Sequence, residues 1–276
     1  MLLEIAIGDA YGAGFEYAPE EFVRQRNDLS AYVRHPRRAL TPGCYTDDTQ
    51  MSIAVAEAML CGEPWTGALL ASCFVSAFHR DPRMGYSKRT YAALHGAEDG
   101  AAFLARLDSV SDTSGAAMRA APLGLYPTVA EVLSRCGLQA ALTHNTPDGI
   151  RAAQAASLMT HYCHFRLGPK CDLPTFLARH LLGDWGTAWS GKVGWRGIDS
   201  VAAALTALVR CERMSDLLRM CVAFTGDVDT VAVIALGAGS CSAEVEQDLP
   251  AVLHDRLERG ACGYEFLREL DRQLMK

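Results

Sequence analysis

The chain has 276 residues, 50% of them hydrophobic, with a formal net charge of -6. That length and apolar content suffice for a substantial buried core, and the acidic balance gives no support to nucleic-acid binding through a basic surface. Ten cysteines, Cys44, Cys73, Cys136 and Cys241 among them, form no CxxC pair, so reduced and mostly buried thiols in a cytoplasmic protein are expected.

The opening MLLEIAIGDAYG carries Glu4, lacks a basic flank and breaks at Gly8, so it does not read as a signal peptide. No apolar run approaches the roughly 20 residues of a membrane span, and no membrane partner is expected. Apolar residues at three and four spacing then predict helices over 49–60, 67–79, 150–165, 199–211, 214–224, 229–241 and 262–275. Alternating Val, Ile and Thr runs are missing, and prolines and glycines fall between the helices. The expected class is all-α. Without a linker, a repeat or a low-complexity stretch, 1–276 reads as a single domain. The loop 183–198, rich in glycine and tryptophan, is expected at the surface or at a pocket rim.

Two helix starts share one pattern. PGCYTDDTQMSIAVAEAML (42–60) and FTGDVDTVAVIALGAGS (224–240) each run from a break through a Thr/Asp cluster into an apolar, small-residue helix. Capping accounts for one acid per helix. It accounts poorly for adjacent Asp47 and Asp48, or for Asp227 with Asp229, because crowded like charges repel unless a cation lies between them. Should the two starts meet, four carboxylates and the hydroxyls of Thr46 and Thr230 would form an all-oxygen cage. Such a cage suits two Mg²⁺ ions, or Mn²⁺, better than zinc. The helix starts are expected to keep these acids ionised.

Other features have plainer readings beside functional ones. His161, Cys163 and His164 lack a matching second pair and read as helix packing rather than a zinc site. Trp185, Trp189 and Trp195 either stack on a ligand or plug the edge of the core. The basic run 80–91 reads as solvated surface. No nucleophilic Ser-His-Asp or cysteine motif competes with the acidic clusters.

GDAYGAGFEY (8–17), YTDDTQM (45–51), SGAAMRAAPLG (114–124), Thr143-His144 and GDVDTVA (226–232) together resemble the ADP-ribosylglycohydrolase family, which includes the glycohydrolase that reactivates dinitrogenase reductase. Five blocks in the family's order carry the likeness from residue 8 to about 242. The resemblance implies an all-α orthogonal helical bundle with a dinuclear magnesium or manganese site. It implies metal ligation by Thr46, Asp47, Asp48, Asp227, Asp229 and Thr230, with Glu16 beside the ribose. Ser114 and Gly115 would face a diphosphate from a helix start, Ser114 replacing the asparagine of many members, and His144 would lie beside the ADP-ribose. Arg119 reads as an internal salt-bridge partner or as a support for the acids and substrate.

The expected reaction is metal-assisted release of ADP-ribose from a protein side chain, arginine by preference, with Asp229 or Asp48 as general base and Glu16 assisting. The expected partners are ADP-ribosylated protein, ADP-ribose and a cognate ADP-ribosyltransferase. The alternatives are an ADP-ribose-binding or toxin-blocking immunity protein of the same fold and, less favoured, a metal-dependent phosphohydrolase.

Overall fold

The computed structural model describes residues 1–276 and contains fourteen α-helices with no sheet. α1 (Leu2–Gly12) runs antiparallel to α12 (Val228–Gly239), and every residue of α12 is buried. A helix that is apolar on all sides belongs in the interior. The contact is close because α1 presents glycine once per turn: a Cβ at Gly8 would lie 3.2 Å from the Ala232 carbonyl carbon, and one at Gly12 only 2.5 Å from the Asp229 Cα.

The remaining helices wrap this pair. They are α2 (Glu20–Arg26), α3 (Asp47–Leu60), α4 (Gly67–Arg80), α5 (Lys88–His95), α6 (Gly100–Leu104), α7 (Val129–Ala141), α8 (Pro147–His164), α9 (Leu173–His180), α10 (Gly197–Arg210), α11 (Met214–Ala223), α13 (Ala251–Arg256) and α14 (Tyr264–Leu274). α10, α11 and α8 pack on α12, α3 pairs with α4, α7 with α8, and α14 covers α1 and α3. Asp271 of α14 accepts the Leu2 and Leu3 amides at the start of α1, at 2.7 and 3.0 Å.

All seven helices expected from periodicity are present. The segment after Ser114, expected to open a helix, instead forms two short 3₁₀ turns, Ser114–Ala116 and Ala121–Leu125. Pro122 has no N–H to bond back toward the first turn, so the two turns cannot join into one longer ladder. Of the cysteines, all unpaired, five are buried, three half-buried, and Cys61 and Cys171 exposed. His161 bonds the Gly124 carbonyl at 3.1 Å and packs on Phe165, as expected of a core histidine. No helix is long and apolar enough to cross a membrane.

Candidate metal centre

The starts of α3 and α12 meet. Thr230 Oγ1 donates to Asp48 Oδ1 at 3.0 Å across 182 residues of sequence. Neither helix caps itself: Thr46 and Asp227 hold the N-cap positions without a side-chain cap bond, whereas Thr66, Thr128 and Thr146 cap α4, α7 and α8 in the ordinary way. The cap of α3 comes from another helix. Asp9 of α1, fully buried, accepts the Thr46 and Thr49 amides at 2.9 Å and their hydroxyls at 2.8 and 2.6 Å. This leaves Asp47 and Asp48 free of capping duty. Thr46 Oγ1 uses its proton on Asp9 and Thr230 Oγ1 uses its own on Asp48, so each hydroxyl retains only lone pairs to offer.

Around α12 the backbone is forced into place. Gly226 has φ +91°, and its neighbour Asp227 donates its amide to the Val193 carbonyl at 3.3 Å. Ser200 of α10 donates to Asp227 Oδ2 at 3.2 Å. Asp47 is fixed through its amide, which donates to the Met84 carbonyl at 3.0 Å. At Gly85, φ +114°, a Cβ would run into the Asp47 carboxylate, so a side chain is excluded on two grounds.

Glu16 joins from the end of the α1 loop. Its carboxylate oxygen and those of Asp227 and Asp229 all lie within 4.8 Å of one another. Tyr17 follows with φ +50°, its amide donating to the Gly226 carbonyl at 2.8 Å. Burial, then Asp227 and Asp229, push the Tyr17 phenol up to about 12.

The acids are not held ionised by the helix starts alone, contrary to the sequence expectation. Burial first, and then repulsion from Asp9 and the neighbouring aspartates, pushes Asp47 and Asp48 well above the usual carboxylate range. Burial and then Asp48 and Asp227 do the same to Asp229. Asp227 is raised by burial against hydrogen bonds from Ser114 and Ser200. The partial charge of a helix start is worth about 0.3–1 kcal/mol at a surface, less than the cost of packing like charges in a dry site. None of Asp47, Asp48, Asp227 and Asp229 has an arginine or lysine ion-pair partner. Uncapping, convergence, burial and missing counter-ions together fit a divalent cation held by oxygen.

The acids line one side of a pocket of about 240 Å³, whose other walls include Ser114, Gly115, Met118, Arg119, His144 and Trp195. Ser114 Oγ lies 3.5 Å from Thr230 Oγ1, and a Cβ on Gly115 would be 2.9 Å from His144 Cε1. His144 is clasped between hydroxyls, Nε2 to Thr113 at 2.8 Å and Nδ1 to Thr143 at 2.7 Å. Burial, with Arg119 nearby, lowers its pKa to about 3, so it works as a neutral ring. Arg119 forms no ion pair, which corrects the internal salt bridge offered for it. It donates to Gln139 Oε1 at 2.6 Å and Thr143 Oγ1 at 2.7 Å and lies over Phe74, 4.6 Å from the ring centre. Burial lowers its pKa to about 10, and the Asp47 charge opposes that shift.

Of the loop tryptophans, Trp185 is buried and Trp189 half-buried, but Trp195 stands 59% exposed at the pocket. Its strand-like strap is bridged at both ends, Val193 to Gly226 and Arg196 to Thr113. Asp9, Gly85, Gln139 and Ser200 have no individual reading in the sequence, and Thr143 enters there only through the Thr143-His144 block. Asp9 alone left a signal there, an acid between Gly8 and Ala10 in an otherwise apolar stretch.

All-α architecture with paired acidic helix starts defines the class, and comparison with known proteins supplies the family. The family model described as ADP-ribosylglycohydrolase matches residues 1–276, and the chain belongs to that family. It is similar to the ADP-ribosylhydrolase ARH3 of Xenopus tropicalis, 28% identical over 172 residues, covering 58% of this chain and 48% of that protein. It is similar also to ADP-ribosylhydrolase ARH3 of Bos taurus, 29% identical over 168 residues, covering 56% and 46%. The matched region thus spans about half the length of these curated relatives. A solved structure titled "ADP-ribosylglycohydrolase-related protein complex" shares the fold, with TM-score 0.77, 24% identity, and coverage of 99% of this chain and 94% of that one.

Proposed function

We propose that this chain is a metal-dependent hydrolase that releases ADP-ribose from a modified protein side chain. The observation that carries the reading is the convergence of acids with no capping duty, of which only Glu16 has a basic ion-pair partner: Asp48 on Thr230, and Glu16 on Asp227 and Asp229, beside one pocket. Family membership supports the substrate class.

In this reading Thr46, Asp47, Asp48, Asp227, Asp229 and Thr230, with Glu16 alongside, hold two Mg²⁺ or Mn²⁺ ions. When bound, the ions supply neutralisation of the acids and polarisation of sugar hydroxyls and water. Ser114 and Gly115 meet the diphosphate through their hydroxyl and backbone amides. His144, both ring nitrogens held by the Thr113 and Thr143 hydroxyls, stays neutral and offers the ADP-ribose a ring without charge. Arg119 is a fixed cation behind the pocket wall, favouring an anionic ligand. Asp229 or Asp48 takes the proton of the attacking water as its oxygen bonds to the ribose carbon. The bond to the acceptor breaks, and the proton taken from water passes to the departing acceptor, which leaves the aspartate ionised again. Positive charge developing on the ribose is stabilised by the acidic wall. Trp195 offers a flat face at the mouth, suited to adenine or to an acceptor guanidinium.

Arginine is the acceptor we favour, so the test uses arginine-linked and serine-linked ADP-ribosyl peptides with Mg²⁺ and with a chelator. Mass spectrometry should show free ADP-ribose only with the metal. Asp229→Ala should lower turnover at least a hundredfold while leaving helical circular dichroism unchanged; normal turnover by that variant would remove Asp229 from the chemistry. Release of AMP would indicate a phosphohydrolase, and metal-independent protection of a partner without turnover would indicate a blocking protein.

A further inference from the structure

Among the acids that meet at the pocket, Glu16 alone has a basic side chain as ion-pair partner. Arg38 Nη1 pairs with Glu16 Oε2, while the Glu16 carboxylate also lies within 4.8 Å of Asp227 and Asp229 oxygens. The segment carrying Arg38 is fastened to Glu16 a second time. His35, 4% exposed, accepts the Arg37 and Arg38 amides on Nδ1 at 3.0 and 2.9 Å. Its proton therefore sits on Nε2, which donates to the Glu16 carbonyl at 2.8 Å. On the other side, the Tyr17 amide is tied to Gly226. The Glu16 backbone is thus pinned from both directions, and its side chain is left between a guanidinium and two carboxylates.

We propose that Arg38 is a positioning residue that competes with a divalent cation for the Glu16 carboxylate and so sets how tightly the Glu16–Asp227–Asp229 side of the site holds metal. The inference rests on the reading of these acids as a metal site. A carboxylate turned toward one cation gives less of its charge to another. Arg38 is 41% exposed, so its pair with Glu16 has the modest strength of a surface ion pair. That strength suits a latch which a doubly charged ion can open. His35 keeps the latch in reach by holding the Arg38 backbone against residue 16.

The test is calorimetric titration of Mn²⁺ into metal-stripped wild type, Arg38→Ala, Arg38→Lys, Glu16→Gln and the Glu16→Gln/Arg38→Ala double variant, each checked by circular dichroism. Arg38→Ala should tighten the weaker Mn²⁺ site about two- to fivefold, Arg38→Lys should stay near wild type, and Arg38→Ala should change nothing in the Glu16→Gln background. Equal tightening in both backgrounds would show a general field effect and overturn the latch, as would no tightening in either. If wild type takes up Mn²⁺ but Arg38→Ala matches it, only the latch falls; if wild type takes up no Mn²⁺, the metal reading fails and the latch with it.

Discussion

Asp48 shows how a residue can weaken the fold that holds it. Its carboxylate is buried, accepts one hydrogen bond from Thr230, and feels Asp9, Asp47 and Asp227. Replacing it with asparagine keeps the acceptor oxygen and removes a like charge. Without metal, Asp48→Asn should therefore raise the melting temperature, by roughly 2–6 °C for about 1–2 kcal/mol of relieved repulsion. With Mg²⁺ the order should reverse, since the wild type gains a ligand that the variant lacks. Thermal melts in chelator and in Mg²⁺ check both signs, and a lower melting temperature in chelator would show that Asp48 is stabilised by its surroundings as it stands.

At the scale of the helix, close approach matters more than propensity. Alanine is the better helix former by about 1 kcal/mol, yet at Gly12 its Cβ would sit 2.5 Å from the Asp229 Cα. Gly12→Ala should cost about 1–3 kcal/mol through overpacking and should lower turnover as well, because the displaced backbone belongs to Asp229. Denaturant melts and the ADP-ribose assay read the two effects separately; unchanged stability would mean that α1 and α12 slide apart freely. The same glycines explain what the sequence hid. α3, α8 and α10 to α12 announce themselves through apolar spacing, and the acids at two of their starts are visible beside it. α1 does not, because Gly8 and Gly12 weaken local helix grammar and repay it only through contact with α12. Nor does linear order reveal that Asp9 caps α3 from another helix, that Arg119 faces Gln139 and Thr143 instead of an acid, or that only Trp195 among the loop tryptophans reaches the pocket. Each depends on a partner distant in the chain.

Across the molecule, α12 touches α1, α3, α8, α10 and α11, and α14 ties back to α1 and α3. No segment bearing a piece of the pocket has a core of its own, so we propose that 1–276 unfolds as a single unit. Helical circular dichroism and tryptophan fluorescence should then report coincident transitions. Mg²⁺ at a hundred times its dissociation constant should add about 2.7 kcal/mol for each site filled, a shift of roughly 5 °C per site that a chelator reverses. Two separable transitions would divide the chain.

The contact between Thr230 and Asp48 also imposes a timetable. A ribosome that has added Asp48 must add 182 more residues before Thr230 exists to meet it. Throughout that interval the nascent chain carries an unfinished nest of acids with nothing opposite. The acid cluster therefore cannot be complete until the α12 segment has been made and has packed among α1, α3, α8, α10 and α11.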